Sequence, residues 1–210
     1  FSANVSHELK TPLQGIIGSA ELLESGMVKQ EDTPRFVGHI RREAARLVNL
    51  IEDIIRLSQL DEGVAMPTEA VDMLQLAEEV KSILRPSAEE RNVSVNLSGA
   101  GFSVTGVRRM LHEVVYNLCD NAIKYNVPGG RVEIHAENNC LTVSDTGIGI
   151  PPEHQDRIFE RFYRVDKSHS KATGGTGLGL SIVKHAVAYH NAKIVLDSTP
   201  GKGTTITIQF

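Results

Sequence analysis

The sequence predicts an α+β protein in which a long helical hairpin precedes a two-layer α/β sandwich. Over residues 1–60, apolar residues recur at steps of three and four, the spacing of helices packed in a bundle. Turn-forming residues gather over 61–67, and short period-two segments then alternate with helical segments. This alternation is typical of a mixed sheet with helices on one face. We therefore predict a helical domain over 1–62 and a sandwich domain over 63–210.

The first predicted helix covers residues 1–25 and ends at Gly26. Pro12 lies inside it, removes one backbone hydrogen bond and is expected to kink it. The segment Asp32-Thr33-Pro34 provides a cap and a first-turn proline for a second helix that runs to about residue 60. One hairpin has too little interior to cover both apolar stripes, so we expect a homodimer that forms a four-helix bundle. A monomeric helical subdomain is the alternative. The stripes consist of Val5, Leu9, Leu13, Ile16, Ala20 and Leu23 in the first helix and Phe36, Ile40, Ala44, Leu47, Ile51, Ile54 and Ser58 in the second.

The sandwich elements follow in alternation. Strands are predicted at 69–73, 93–97, 102–105, 131–136, 141–144, 193–197 and 204–210, and helices at 74–91, 108–125 and 178–189. The central two strands form a hairpin around Asn138-Asn139. The polar segment 151–176 is predicted as a loop.

Composition bounds the function. A net charge of −4 without a Lys/Arg-rich run gives no reason to expect nucleic acid as a partner. No apolar run approaches the roughly 20 residues that span a bilayer, so the chain as given is expected to be soluble. Cys119 and Cys140 lie in apolar runs and are predicted to be free thiols in a reducing compartment. The chain starts without methionine, which predicts a piece of a longer protein.

A polar stripe follows the predicted helix 108–125. Glu113, Asn117, Asn121 and Lys124 share one face at 100° per residue. Asparagine is a poor helix former, so a solvated face gives no reason for two of them. Amide oxygens and a carboxylate can hold hydrated Mg²⁺, and an ammonium can hold phosphate, so the stripe suits a nucleoside triphosphate. An ordinary solvated helix face is the alternative.

Two glycine-rich segments support a nucleotide site. After an apolar strand, Asp145 can accept a hydrogen bond from an exocyclic amine, while Gly147 and Gly149 let the backbone approach a flat base. A tight turn is the alternative. The second segment opens a helix and offers backbone amides to an anion. Neither segment has the dinucleotide or P-loop spacing. The second segment contains Gly175, Thr176, Gly177, Leu178 and Gly179.

Between the glycine segments, residues 159–164 carry three aromatic side chains and two arginines. Because aromatic residues are uncommon in plain surface loops, we predict a lid that its aromatics anchor. Arg161 and Arg164 are the candidates for reaching phosphate oxygens. An ordinary surface loop is the alternative.

The ordered motifs resemble the H, N, G1, F and G2 boxes of sensor histidine kinases of two-component systems. Ser6-His7-Glu8-Leu9-Lys10-Thr11-Pro12-Leu13 resembles the H box, and Asn117-Leu-Cys-Asp-Asn121-Ala-Ile-Lys124-Tyr125 the N box. Asp145-x-Gly147-x-Gly149, Phe159-x-x-Phe162 and Gly175-Thr-Gly177-Leu-Gly179-Leu are similar to the other three. The segment 162–167 favours the phosphate- and cell-wall-responsive subgroup. The implied fold is the ATPase fold of gyrase, chaperones and histidine kinases.

The resemblance implies roles for single residues. His7 would accept phosphate from ATP, with Glu8 as base or orienting carboxylate, and would pass it to an aspartate of a response regulator. Thr11 would position water when that regulator is dephosphorylated. Asn117 and Asn121 would share Mg²⁺, and Lys124 would hold phosphate. Tyr125 would flank the base, and Asp145 would accept a hydrogen bond from adenine's amino group. Glu113 would tune the metal or the nucleophile.

The resemblance further implies a full-length protein in the bacterial cell membrane with this part on the cytoplasmic side. Val107 and Asn191-Ala192 depart from the family pattern, which often has aspartate and paired glycines there. Two other functions stay open at this point. One is a plain ATPase or serine kinase on the same nucleotide fold, and the other is a non-catalytic dimer scaffold or a protein that acts mainly as a phosphatase.

Overall fold

The computed structural model describes residues 2–61, 66–165 and 175–210. These residues form two compact units. The helical unit extends to Gln59 and includes Gly175 and Thr176, while the sheet unit contains the remainder from Leu60 onwards. The predicted limit between residues 62 and 63 lies outside the described residues.

The helical unit is an antiparallel hairpin. Helix α1 covers Ser2–Glu24 and continues through Pro12, and helix α2 covers Thr33–Asp61 after a 3₁₀ turn at Gln30–Asp32. Ser19 Oγ lies 3.1 Å from His39 Nδ1. One turn earlier, a β-carbon built at Gly15 would lie 3.4 Å from the His39 ring and 3.6 Å from Glu43 Cγ. Gly15 therefore allows close approach of the two helices.

Helix α2 has apolar side chains on two different faces. Leu50 and Leu57 are buried at 3% and 0% exposure. Roughly 100–180° around the helix from these two, a second set stays exposed at 43–54%, and it consists of Val37, Val48, Ile51 and Ile55. The stripe predicted for this helix therefore mixes two faces, since Leu47 and Ile54 are half-buried whereas Ile51 is exposed.

The sheet unit contains a five-stranded mixed sheet of order β2-β4-β5-β7-β6. Only the β2–β4 pair is parallel among these described strands. Strands β1 and β3 form a separate antiparallel pair. The strands are β1 Glu69–Asp72, β2 Ser94–Ser98, β3 Ser103–Gly106, β4 Arg131–Glu137, β5 Cys140–Asp145, β6 Lys193–Thr199 and β7 Gly203–Gln209.

Helices α3 (Met73–Glu90), α4 (Arg108–Lys124) and α6 (Gly179–Tyr189) cover one face of this sheet. Along β4, Val132, Ile134 and Ala136 are fully buried, whereas the side chains between them are not. This alternation places the core between the sheet and the helices and leaves the other face polar. The predicted α+β class with a helical hairpin and a mixed-sheet sandwich is confirmed.

One element contradicts the prediction of a loop over 151–176. A short helix, α5, covers Pro152–Gln155 and begins with proline in its first turn. Four residues are too few to produce a helical period in the sequence, so the pattern could not reveal it. In the parts of the chain that the structure describes, no helix has the length and apolar character needed to cross a membrane.

Candidate functional site

Helix α4 carries the predicted polar stripe, and that stripe is largely covered by protein. The opposite side of the helix is buried in the core by residues such as Leu111, Val115 and Leu118. The Glu113 side chain is nevertheless only 12% exposed and that of Lys124 27%. A solvated helix face would expose both groups far more, so the stripe faces a partly enclosed space.

Asn117 has an oriented amide. Its Nδ2 donates to the Glu113 carbonyl oxygen at 2.8 Å. A β-carbon built at Gly179 would lie 2.6 Å from Asn117 Oδ1. The amide oxygen is therefore turned towards the first residue of α6, where only glycine leaves room. An oxygen presented in this way is the kind of ligand that Mg²⁺ prefers, so the donor set fits the implied ion.

Lys124 pairs with a residue that the sequence did not single out. Its ammonium lies 2.6 Å from Asp120 Oδ2, one turn earlier on α4. Both side chains are mostly covered, which strengthens the pair relative to a surface pair. The ammonium retains further donor hydrogens, since an ammonium carries three.

Asp145 ends β5 as a partly buried carboxylate. Its Oδ1 accepts hydrogen bonds from the backbone N–H groups of Gly147 at 2.8 Å and Thr204 at 3.2 Å. Burial raises the pKa of Asp145 above its ordinary value, and the two backbone hydrogen bonds oppose that rise. The acceptor is held in one orientation by backbone donors from two different segments.

Gly147 packs so closely against the end of α4 that it leaves no room for a side chain. A β-carbon built there would meet the Tyr125 carbonyl oxygen and would lie 2.9 Å from Asp145 Oδ1. Tyr125 is the C-cap of α4, and its carbonyl oxygen also accepts the Ile148 N–H at 3.1 Å. The end of the N box and the G1 segment thus meet directly. Gly149 follows with a φ of +68°, against the Thr199 carbonyl.

The F-box aromatic Phe162 contacts the second glycine segment. Its N–H donates to the Gly177 carbonyl oxygen at 2.9 Å. Both residues have a positive φ, +65° for Phe162 and +75° for Gly177, and a β-carbon on Gly177 would lie 3.0 Å from Phe162 Cα. Leu178 beside it is fully buried. The glycine at 177 is needed for this close approach.

The predicted phosphate-binding arginines lie on this side of the sheet unit. Arg161 Nη2 is 3.0 Å from His185 Nε2 on α6. Arg164 is described, as is the rest of the predicted lid segment 159–164, whereas the polar residues 166–174 that follow it lie outside the described residues. Gly175 and Thr176 belong to the helical unit by their contacts, so their role at phosphate stays a prediction.

His7 has a different environment. Its side chain is 79% exposed, and Nδ1 lies 3.7 Å from Glu8 Oε1. Thr11 Oγ1 donates to the His7 carbonyl oxygen at 3.2 Å. The imidazole therefore stands on the helix surface with one carboxylate beside it, open to an incoming group.

Sequence reasoning missed several residues that shape this region. The backbone of Thr204 holds Asp145, and Asn126 and Thr146 connect the segments on either side of Gly147. A signal was available for Thr204, because Gly201-x-Gly203 precedes it as a third glycine segment. Asn126 directly follows the N box, but asparagine is common in turns, so its presence there does not indicate a role in the site.

The partly covered polar stripe of α4 with the fixed Asp145 carboxylate in one unit, and the exposed histidine of α1 in the other, are the features expected of the family that the motifs resemble, and both units match known families. Residues 1–63 match the His Kinase A (phospho-acceptor) domain. Residues 106–210 match the family described as histidine kinase-, DNA gyrase B- and HSP90-like ATPase. The chain belongs to the sensor histidine kinases of two-component systems, as the resemblance predicted.

Three relatives illustrate the similarity. Sensor-like histidine kinase SenX3 of Mycolicibacterium smegmatis is 40% identical, over 100% of this chain and 56% of its own length. Phosphate regulon sensor protein PhoR of Pseudomonas aeruginosa is 38% identical, over 100% of this chain and 49% of its own. The structure of full-length ShkA in complex with AMPPNP matches with a TM-score of 0.70 and 25% identity, covering 98% of this chain and 44% of that one. The chain spans about half the length of these curated relatives.

Proposed function

We propose that this chain uses ATP to phosphorylate His7 and then passes the phosphoryl group to an aspartate of a response regulator. The observation that carries the proposal is the Asp145 carboxylate, which two backbone donors fix beside the side-chain-free backbone of Gly147. A fixed acceptor next to glycine backbone is what an adenine base with its amino group requires. Membership of the histidine kinase family and an AMPPNP-bound relative support the choice of ATP.

The phosphate end of the nucleotide would lie along the polar stripe of α4. Asn117 and Asn121 would hold Mg²⁺, which when bound neutralises phosphate charge. Lys124 would contact phosphate, and Asp120 would keep its ammonium in place meanwhile. Tyr125 would flank the base. Arg161, Arg164 and the glycine segment Gly175 to Gly179 would contact phosphate from the opposite side.

The transfer step combines groups of the chain with the bound ATP and Mg²⁺. A ring nitrogen of His7 attacks the γ-phosphorus, the bond from phosphorus to the bridging oxygen breaks, and ADP leaves with that electron pair. The ring proton passes to Glu8, whose carboxylate lies 3.7 Å from His7 Nδ1, or to water. Glu113 is assigned to tuning the metal or the nucleophile. Thr11 would position the water that hydrolyses the phosphate of the regulator when the chain acts as a phosphatase.

We also propose that the chain acts as a homodimer through its helical unit. The exposed apolar stripe of α2, formed by Val37, Val48, Ile51 and Ile55, supports this assignment. Leu13 and Ile17 add 45% and 47% exposed side chains on α1. A second copy of the same hairpin would cover these side chains as a four-helix bundle. Domain limits at residues 62 and 63, and a membrane location of the whole protein with this part in the cytoplasm, remain predictions.

Labelling with γ-³²P-ATP and Mg²⁺ tests the function. The wild-type chain should acquire phosphate that is labile in acid and stable in base, as expected of a phosphohistidine, and His7→Gln should abolish it. His39→Gln is the matched control, because His39 is another histidine of the same hairpin, and it should keep the label. Label that persists in His7→Gln contradicts the phosphoacceptor assignment, and acid-stable label would favour a serine kinase.

A further inference from the structure

We infer that Asn126 and Thr146 are positioning residues that hold the end of α4 and the G1 segment at the separation an adenine base needs. The inference rests on the proposed function, because it concerns the same nucleotide site. Together with the backbone of Arg131, these two side chains form what we term the Asn126–Thr146 network.

Asn126 uses its full hydrogen-bonding capacity in this network. Nδ2 donates to the carbonyl oxygens of Ala122 and Arg131, both at 3.0 Å. Oδ1 accepts from the Val127 N–H at 2.9 Å and from the Thr146 hydroxyl at 3.2 Å. An asparagine side chain offers two donors and two acceptor positions, so none is left over. One side chain therefore joins α4, the following turn, β4 and the G1 segment.

Space around Asn126 is reserved for this arrangement. A β-carbon built at Gly130 would collide with Asn126 Oδ1 and would lie 2.8 Å from the Val127 carbonyl oxygen. Glycine at 130 is thus required for the asparagine to reach its partners. The requirement marks the network as a built feature of the turn between α4 and β4.

Thr146 closes the network from the G1 side. Its Oγ1 accepts the Arg131 N–H at 2.9 Å while donating to Asn126 Oδ1. Its own N–H donates to the Arg131 carbonyl oxygen at 3.2 Å. The hydroxyl is both donor and acceptor, so valine, which has the same shape, can replace neither interaction.

The network lies between the residues assigned to adenine. Tyr125 directly precedes Asn126, while Asp145 and Gly147 flank Thr146 in the chain. A β-carbon built at Gly147 would lie 3.0 Å from Asn126 Cα, so the two backbones are packed against each other. Movement of Thr146 away from Asn126 would therefore change the separation of Tyr125 and Asp145.

Thr146→Val provides the test, with Mg²⁺–ADP titrated calorimetrically and autophosphorylation rates measured over a range of ATP concentrations. We expect the Kd for ADP and the KM for ATP to rise about tenfold, as for the loss of one or two hydrogen bonds. We expect kcat to stay within about twofold, because the base contributes equally to ground-state and transition-state binding. Thr146→Ser keeps the hydroxyl and should restore wild-type affinity.

Thr142→Val is the matched control. Thr142 lies on β5, and its hydroxyl is 3.0 Å from that of Thr207 on the neighbouring strand. The Thr142→Val variant therefore also loses a side-chain hydrogen bond. It should leave Kd and KM unchanged. Asn126→Asp removes two donors and keeps the acceptors, so it should weaken ADP binding as Thr146→Val does. It replaces Thr146→Val in the test if that variant does not fold.

The outcomes separate the inference from the function. If wild type binds ADP and Thr146→Val and Asn126→Asp bind it equally well, the positioning role is wrong while the kinase function stands. Equal weakening by Thr142→Val would also overturn it, because general loosening of the sheet would then be the cause. If wild type binds no nucleotide, the proposed function itself fails.

Discussion

His7 and Asp145 occupy opposite kinds of surroundings. His7 stands 79% exposed on a helix, with one carboxylate 3.7 Å away. Asp145 is partly buried, and backbone N–H groups of two segments hold its Oδ1. The helical unit therefore presents its chemistry on an open surface, whereas the sheet unit builds its chemistry into the packing of a turn. The contrast fits the roles proposed for the two residues, because a phosphoacceptor has to be accessible to its partners and a preformed site costs less to order when a nucleotide binds.

The same contrast holds for apolar surface. In the sheet unit, large apolar side chains of the strands are buried against α3, α4 and α6. In the helical unit, Val37, Val48, Ile51 and Ile55 remain exposed. An exposed apolar stripe is typical of an interaction surface. The sheet unit has a buried core of its own, while in the proposed homodimer a second copy covers the stripe of the helical unit.

The largest expected effect comes from charging that stripe. Val48→Glu would place a carboxylate in each half of a symmetric dimer, so each dimer would bury two. At roughly 2 kcal/mol or more for each, the dimer Kd should rise about 1000-fold. Sedimentation equilibrium measures this directly. Asn49→Glu introduces the same charge at the adjacent exposed position and should leave the dimer intact.

Unchanged dimerisation in Val48→Glu would contradict the assignment of this stripe to the dimer interface. The contrast between an incomplete helical unit and a complete sheet unit would then be lost. The monomeric hairpin considered at the outset would become the better description of residues 1–62.

A smaller effect is expected from adding a methyl group at Gly147 in the sheet unit. In Gly147→Ala, the methyl group would meet the Tyr125 carbonyl oxygen, which is backbone, and Asp145 Oδ1, which two backbone N–H groups hold in place. Overpacking of about 1–3 kcal/mol corresponds to an ADP affinity about 5- to 150-fold weaker. Gly129→Ala is the control, because Gly129 lies in the same unit and a β-carbon there would have nothing within 4 Å. Its φ of +79° makes alanine strained at that position, a strain that Gly147 does not share. Equal loss of affinity in both variants would assign the effect to general destabilisation of the sheet unit instead of the contact at Gly147.

Sequence patterns predicted the helices and strands well because their signals are local. Period-two alternation located β4 and β5, and the hairpin turn was marked by Asn138 and Asn139, which both adopt positive φ. The row of Glu113, Asn117 and Asn121 on α4 could be inferred from helical geometry alone. The short helix α5 was missed because four residues carry no period.

What the sequence could not provide was pairing over long separations. Asp145 meets the Thr204 N–H across 59 positions, and Asn126 meets Thr146 across 20. Such pairs depend on the order of the strands in the sheet. No local sequence signal shows that β5 and β7 are neighbours. The Lys124–Asp120 pair was missed for another reason: both residues lie in the motif, but only one was assigned a function.

The smallest expected effect concerns the stability of the sheet unit in the absence of nucleotide. It tests whether the partly buried Asp145, unlike the exposed His7, destabilises the fold when it is ionised. Burial raises the pKa of Asp145 in the folded state above its unfolded value of about 4. The folded state then binds more protons than the unfolded state between these two values, so stability falls as pH rises through that window. Asp145→Asn keeps an oxygen for the Gly147 and Thr204 donors but carries no charge.

The free energy of unfolding of Asp145→Asn should therefore equal that of wild type below pH of about 4. As pH rises, the variant should become the more stable protein, and it should stay so at neutral pH. Urea unfolding of both chains at several pH values measures the difference. Asp197→Asn removes one exposed carboxylate from the same sheet and controls for net charge. If Asp145→Asn were the less stable protein at neutral pH, the ionised carboxylate would be stabilising the turn. The nucleotide site would then carry no folding cost, and the contrast with the exposed His7 would rest on geometry alone.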